Sequence, residues 1–414
     1  MNSSTGRWVS GDDFFDRERE LQILETRVRD RNHVLLTGQR RMGKTSIIRE
    51  LGRRLEADGW IFLFADVEGA TTHEDAITEI ARAAHPVRSI ASRFAVVMKR
   101  FFSENFEEVT AVDFGVKIRA GLNEGNWRHH GAQMFNVCAE QDKPVLLVID
   151  ELPIFLKRML EHDNNARRVD EFLSWLRGAL QVLDNDAPVL IVSGSIGLEP
   201  LVRRLGIPDR INHFYPYRLG PWDRETSMDC FNRLASRYAL SVPDGVAGAV
   251  YDTLGIGIPH HIQSFFARLR DHAILHGRNR LTLQDVKFVY RNSLLGPSGQ
   301  IDLVHYETRL RDGLDDQSFT IAMVILAEAA VKDVFTPATR RSLARLYSKL
   351  VDDVAARITD VLEILVHDGY LETDEEGHRF ASRLLKDWWS ARYSDHHISI
   401  QQRHPDHNQG ELWQ

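Results

Sequence analysis

Gly38-Gln39-Arg40-Arg41-Met42-Gly43-Lys44-Thr45 fits G-x-x-x-x-G-K-[ST], the pattern of a phosphate-binding loop. A triphosphate must be held by many donors at close range. The glycines let the backbone wrap the phosphates with amide N–H groups turned inward. Lys44 then reaches the β- and γ-phosphates, and the Thr45 hydroxyl suits Mg²⁺. The helix that starts here, with Ser46 in its first turn, adds its positive dipole end. The flanks agree with this. His33-Val34-Leu35-Leu36-Thr37 reads as a short buried strand, and Ser46-Ile47-Ile48-Arg49-Glu50-Leu51 reads as a helix. A plain Gly-rich turn with a surface lysine would not need that strand–loop–helix setting. Lys44 itself is expected on an exposed rim of the loop.

Outward from the loop, Pro144-Val145-Leu146-Leu147-Val148-Ile149-Asp150-Glu151 is an apolar run ending in two carboxylates. It is too short to span a membrane and fits a strand buried on both faces. Beside a phosphate loop, Asp150 is placed to hold Mg²⁺ and Glu151 to polarise an attacking water. Trp60 to Asp66 is another strand. Pro188 to Ser195 is a further one, ending in the hydroxyls of Ser193 and Ser195. Val112, Phe114, Val116 and Ile118 alternate with polar or small residues, so a half-exposed strand is expected there.

Residues up to about 215 thus alternate strands and helices, which predicts a parallel sheet flanked by helices. From Asp223 to Leu295 the helical period dominates. Asp223 can cap one helix and Pro243-Asp244 opens another. Leu295-Gly296-Pro297-Ser298-Gly299-Gln300 reads as a linker. Beyond it the pattern is a helix over Ser318–Ala330, a second from Thr336-Pro337, and a third with Ile358, Val361, Leu362 and Leu365 on one face. Two strand-like pieces then flank the turn Asp374-Glu375-Glu376-Gly377. Three helices and a hairpin follow the order of a winged helix. The expected division is an ATPase domain over 1–215, a helical lid over 216–298, a winged helix over 299–395 and a disordered tail over 396–414.

The 414 residues carry 43% hydrophobic and 27% charged residues, as an ordinary globular protein does. A net charge of −7 gives no global attraction to nucleic acid. Cys138 and Cys230 make no disulfide framework. The polar start and the lack of a long apolar run point to a cytoplasmic protein with no membrane partner. His396, His397, His404 and His407 sit in the polar tail and are read as solvent-exposed.

With these pieces in place, the chain resembles the archaeal-type ATPase family within the AAA+-like and STAND branch of P-loop NTPases. The resemblance runs through Phe14-Phe15-Asp16-Arg17-Glu18-Arg19-Glu20-Leu21, the loop, VLLVIDELP and Ser193-Gly194-Ser195-Ile196-Gly197. It continues through Gly257-Ile258-Pro259, DGYL, Phe380 and Trp388-Trp389. It implies that Arg17 and Glu18 lie near an adenine, that Gly257 and Pro259 press on the base from the lid, and that Ser193 or Ser195 senses the γ-phosphate. The nucleotide-binding set is then Arg17, Gly38, Gln39, Arg40, Arg41, Met42, Gly43, Lys44, Thr45, Ser46, Gly257 and Pro259. Thr45 and Asp150 are the metal set, and Lys44, Glu151, Ser193 and Ser195 the catalytic set. A lid sensor arginine is not evident after Pro259; Arg268 and Arg270 come later. Arg203 and Arg204 are candidates for an arginine finger.

The third C-terminal helix would be the DNA-reading element of a winged helix. Over Asp352–Asp368 it carries five carboxylates against Arg357 alone, one minus five, or −4. Phosphates repel such a face. The helix before it carries Arg341, Arg345 and Lys349 at i, i+4, i+8. The sequence therefore points first to an ATP- and Mg²⁺-dependent switch, cycling between ATP and ADP, whose C-terminal domain meets a protein partner or its own chain. Weak, non-specific DNA binding accompanies that reading. Two others stay open: a DNA-associated ATPase, and a nucleotide-locked scaffold that barely hydrolyses.

Overall fold

The computed structural model describes residues 6–99, 110–163, 166–194 and 197–403. The chain divides into two compact units. One is Val9–Gly38 with Lys44–Leu219; the other is Gly220 onward together with Gln39–Gly43.

The first unit is built on a five-stranded sheet. Its strands are β1 (Val34–Thr37), β2 (Ile61–Asp66), β3 (Val145–Asp150), β4 (Val189–Ser193) and β5 (Tyr215–Arg218). They run in the order β2-β3-β4-β1-β5, and every pairing is parallel. The three central strands are buried at every position, which is why they read as unbroken apolar runs. The edge strand β5 alternates half-buried tyrosines with exposed Pro216 and Arg218. An edge tolerates a proline because one side of the strand needs no ladder donor.

This order brings the chemistry-bearing strand ends together. The chain leaves β1, passes β4 and β3 to reach β2, and returns across β1 to β5. Such a reversal leaves a crevice at the carboxyl ends of the neighbouring strands β1 and β4. Register places Leu36 opposite Ser193 and Asp66 opposite Asp150. The carboxyl ends carry Thr37, Asp66, Asp150 and Ser193.

One expected strand is a helix. Ala111–Gly121 is α-helical, with Thr110 capping it through Asp113 N. Phe114 and Ile118 are 2% and 1% exposed, whereas Val112 and Val116 are 64% and 60% exposed. Positions four apart share one helix face. Alternation over these four residues therefore disguised two helical stripes, one inward and one outward.

At the other end of the sheet, His33 and His213 stand before β1 and β5 with ring centroids 6.0 Å apart. His33 Nδ1 accepts the Leu190 N–H at 3.1 Å. Burial pushes both imidazoles down to about 4, helped by Arg31 at His33 and by His33 and Arg177 at His213. An unfolded histidine titrates near 6.5, so between roughly pH 6.5 and 4 the unfolded chain binds more protons than the folded one. Stability is thus full above that window and falls as the pH drops through it. The urea midpoint should be lower at pH 5 than at pH 7.5, and His213→Gln should reduce that difference. Equal midpoints at the two pH values would contradict this account.

The second unit is helical. Asp223 caps the helix Arg224–Arg237 through Thr226 N. The helix expected from Pro243-Asp244 begins at Val246, after Gly245 in a left-handed conformation. Pro259–Leu275 and Leu283–Val289 follow, and a π-helical turn covers Tyr290–Leu294. The expected linker is shorter than its composition suggested. Pro297 opens the helix Pro297–Gly313, because proline is pre-organised for a first helical turn.

Next come the helices Asp316–Lys332, Pro337–Tyr347 and Val354–His367. Strands β6 (Leu371–Thr373) and β7 (His378–Phe380) pair antiparallel, and Phe335 adds one bridge to His378. Ile358, Val361, Leu362 and Leu365 are all buried, as their spacing predicts. Trp388 and Trp389 are buried on the helix Arg383–Tyr393.

The segment after this helix departs from expectation. His397 was read as exposed, yet its side chain and that of Glu328 are each 2% exposed, and they bond at 2.7 Å. Ser399 Oγ and the Ile400 N–H also donate to Glu328. A carboxylate buried in the helix Asp316–Lys332 needs such partners, and this polar segment supplies them. Among the described residues, no helix is long and apolar enough to cross a membrane.

Candidate functional site

In the first unit the site grows from the turn at Gly38. Its φ of +152° lies outside the range of ordinary side chains, and a Cβ there would stand 2.7 Å from the Leu219 carbonyl oxygen. Only glycine passes this point. Six residues on, the helix Lys44–Ala57 begins, with no acidic residue in its first turn. Its leading amides and dipole favour an anion.

Lys44 is not on an exposed rim. It is 7% exposed, and its ammonium donates to the Gly38 carbonyl at 2.8 Å. The side chain is covered up to its ammonium, whose bond to Gly38 is itself buried. That position fixes the charge rather than letting it wander in solvent.

Two hydroxyls and a backbone amide converge on one carboxylate. Asp150 is buried, and Thr45 Oγ1 donates to its Oδ2 at 3.0 Å. Ser193 Oγ donates to Oδ1, and so does the Glu151 N–H, at 3.1 Å. Thr45 begins the loop helix, Asp150 ends β3 and Ser193 ends β4. A hydroxyl beside a buried carboxylate is the oxygen-donor set that Mg²⁺ takes, with water and phosphate completing its shell. The residues present therefore fit the ion.

Glu151 has a left-handed φ of +57°. Such a conformation is uncommon for a side chain of this size. The Glu151 carboxylate passes Gly194, where an added Cβ would be 3.7 Å from Oε2 and 2.4 Å from Pro153 Cδ. Glycine after β4 keeps this passage open.

Arg17 is buried at the start of the helix Glu18–Arg29, with φ +71° and an ion pair to Glu20 at 2.7 Å. Glu18 faces Arg54, which donates to both of its oxygens and draws its carboxyl below the ordinary range. Ser46 Oγ accepts the Val9 N–H at 3.1 Å and so ties the incoming chain to the loop helix. Arg203 and Arg204 end the helix Leu198–Arg204 and are exposed. Ser195 lies outside the described residues.

One neighbour was missed from sequence. Arg49 lies four residues after Thr45, so the two share a helix face. Its guanidinium sits 3.6 Å from the centroid of the Phe64 ring. Burial lowers its pKa, while Asp150 and Asp66 act the other way. The spacing from Thr45 was the available signal.

In the second unit, the loop tip is fixed from several sides. Arg41 has φ +66° and Gly43 φ +92°. Met42 is buried. Gln39 Nε2 donates to the Gly369 carbonyl at 2.9 Å, and Arg41 Nη1 donates to His260 Nδ1 at 3.2 Å. Gly257 leaves no room for a side chain, because a Cβ would lie 2.2 Å from the Trp222 carbonyl oxygen. Pro259 starts the helix that carries His260. Arg268 donates to Ser293 Oγ at 3.1 Å, and the Arg270 guanidinium lies 4.6 Å from the Tyr238 ring centroid. Both arginines thus make contacts within the helical unit.

The AAA ATPase domain family matches residues 13–197. No curated protein matches the chain. The Walker-type ATPase of Pyrococcus abyssi is similar over 94% of this chain and 99% of its own, at 20% identity and a TM-score of 0.65. The ORC2 protein of Aeropyrum pernix, solved as ADPNP and ADP complexes, is similar over 93% and 98%, at 14% identity and a TM-score of 0.51. Residues 13–197 thus match the AAA ATPase domain family, in a chain whose fold is that of P-loop NTPases.

Proposed function

We propose that this protein binds ATP with Mg²⁺, hydrolyses it slowly, and uses the nucleotide state to set the disposition of its C-terminal region. The observation that carries this reading is the convergence of Thr45, Ser193 and the Glu151 amide on the buried Asp150, with the Lys44 ammonium fixed on Gly38 of the same loop. Mg²⁺ held by Thr45 and Asp150 would supply positive charge at the β- and γ-phosphate oxygens. Lys44 adds a second charge there, Glu151 orients water, and Ser193 fixes the Asp150 carboxylate. Arg17, Gly257 and Pro259 are assigned to the base. Ser195 stays with Ser193 as a sensor of the γ-phosphate. Residues 216–298 act as the lid and 299–395 as a winged helix of the STAND type, in the cytoplasm. Titration with fluorescent ATP and GTP analogues, in Mg²⁺ and in EDTA, tests the reading. Tighter binding of the ATP analogue, strengthened by Mg²⁺, is expected; equal binding of both analogues without regard to Mg²⁺ would refute it.

A DNA-associated ATPase is the second reading, and one surface favours it. Arg341 and Arg345 are exposed on the helix Pro337–Tyr347, and Lys349, expected on the same helix, is exposed in the turn that follows it. The next helix opposes it: Arg357, its one cation, is paired with Asp315 at 2.8 Å. Duplex DNA should then bind weakly, without sequence preference, and lose binding steeply with salt. Replacing the three basic residues with alanine should abolish that binding. A footprint with tight, sequence-specific protection at physiological salt would reverse the order of the two readings.

A further inference from the structure

The tip of the phosphate loop belongs to a closed ring of contacts within the second unit. Gln39 donates to the Gly369 carbonyl, a bond buried between residues 330 positions apart. Gly369 has φ +75°, and an added Cβ would lie 2.6 Å from Gln39 Cδ, so the glycine is what lets the amide approach. The next residue, Tyr370, sends its hydroxyl to the Tyr306 carbonyl at 2.8 Å. The Tyr306 hydroxyl meets His261 Nε2 at 3.3 Å. His260, beside it, accepts from Arg41 at 3.2 Å and returns the ring to the loop. His261 is buried, which holds its imidazole well below the ordinary range and keeps it neutral.

We infer that Gln39 is the residue through which the phosphate loop controls the seating of the Gly369–Phe380 turn and hairpin. The inference rests on the nucleotide-switch reading above. Its argument is geometric. The loop backbone at Gln39–Gly43 must turn its amides to phosphate, and Gln39 cannot move without either carrying Gly369 or releasing it. Releasing it strands a buried carbonyl, which is costly. Coupling of this kind is reciprocal, so whatever displaces the hairpin also alters nucleotide affinity. Arg41, His260 and His261 form a second branch through the lid, and that branch reaches Tyr370 through Tyr306. The direct branch is the shorter one, and Gln39 acts in it as a positioning residue.

Hydrogen exchange on the full chain tests this at the amides of Gly369, Tyr370 and Ala381, which bond to Val366, Leu365 and Tyr370 respectively. In the wild type, the β,γ-imido analogue of ATP with Mg²⁺ should change their exchange. In Gln39→Ala they should exchange about 10-fold faster without nucleotide, the size expected for one buried hydrogen bond, and show no further response to the analogue. Tyr306→Phe breaks the lid branch alone and should keep the wild-type response. If Gln39→Ala no longer binds the analogue, Gly369→Ala displaces the same amide from the opposite side with the loop sequence intact, and should likewise lose the response. Wild-type exchange in Gln39→Ala, or loss of the response in Tyr306→Phe, would overturn the inference. A wild type that binds no nucleotide would instead refute the switch reading, while the nucleotide-free comparison would still test the Gln39 bond.

Discussion

Glu151→Gln should bind Mg·ATP and turn it over roughly 10²–10⁴-fold more slowly, the usual cost of losing a positioned base. Glutamine keeps the shape and the left-handed turn but cannot take up a proton as a carboxylate does. The backbone N–H of residue 151 would still bond to Asp150. The Thr45–Asp150–Ser193 cluster is therefore left standing in the variant, and affinity should change little. This split between binding and turnover is the signature of a group acting on the attacking water. Pre-steady-state phosphate release, measured beside an equilibrium titration, separates the two. Turnover equal to the wild type would assign the water to another residue.

Lys44→Ala should abolish nucleotide binding in a chain that still folds. The burial of Lys44 makes this a sharper prediction than an exposed lysine would allow. Its ammonium is bonded to Gly38 O, so removal takes away both the phosphate's counter-charge and one loop contact. The side chain donates to a carbonyl of its own loop, so the cost in stability should be small beside the loss of binding. Circular dichroism and a urea midpoint report the fold; the fluorescent ATP analogue reports binding. Wild-type affinity in a folded Lys44→Ala protein would refute the phosphate-loop assignment.

What could be read from the sequence was what local chemistry dictates. The glycines of the loop, the carboxylates ending β3 and the apolar face of the helix Val354–His367 each carry their meaning within a few residues. The Asp223 cap and the C-terminal hairpin were legible for the same reason. The misreadings have physical causes. Val112 to Ile118 satisfies both a period of two and a pair of i, i+4 stripes, and only packing decides between them. His397 looks like a tail residue because its partner, Glu328, is 69 positions away. Burial of Lys44 depends on the conformation of its own loop, which the motif does not specify. Arg49 was missed because its aromatic and acidic neighbours come from β2 and β3 rather than from its own helix. No local pattern could have announced the Gln39–Gly369 bond, since the two residues are 330 positions apart.

The central claim is that Asp150, Thr45 and Lys44 form a working Mg·ATP site rather than a nucleotide-locked one. Single-turnover hydrolysis of γ-labelled ATP by the wild-type chain, in Mg²⁺ and in EDTA, tests it most directly. The account predicts first-order release of labelled phosphate in Mg²⁺ and none in EDTA. Bound ATP that stays intact in Mg²⁺ over many hours would contradict it and leave the protein as a nucleotide-locked scaffold.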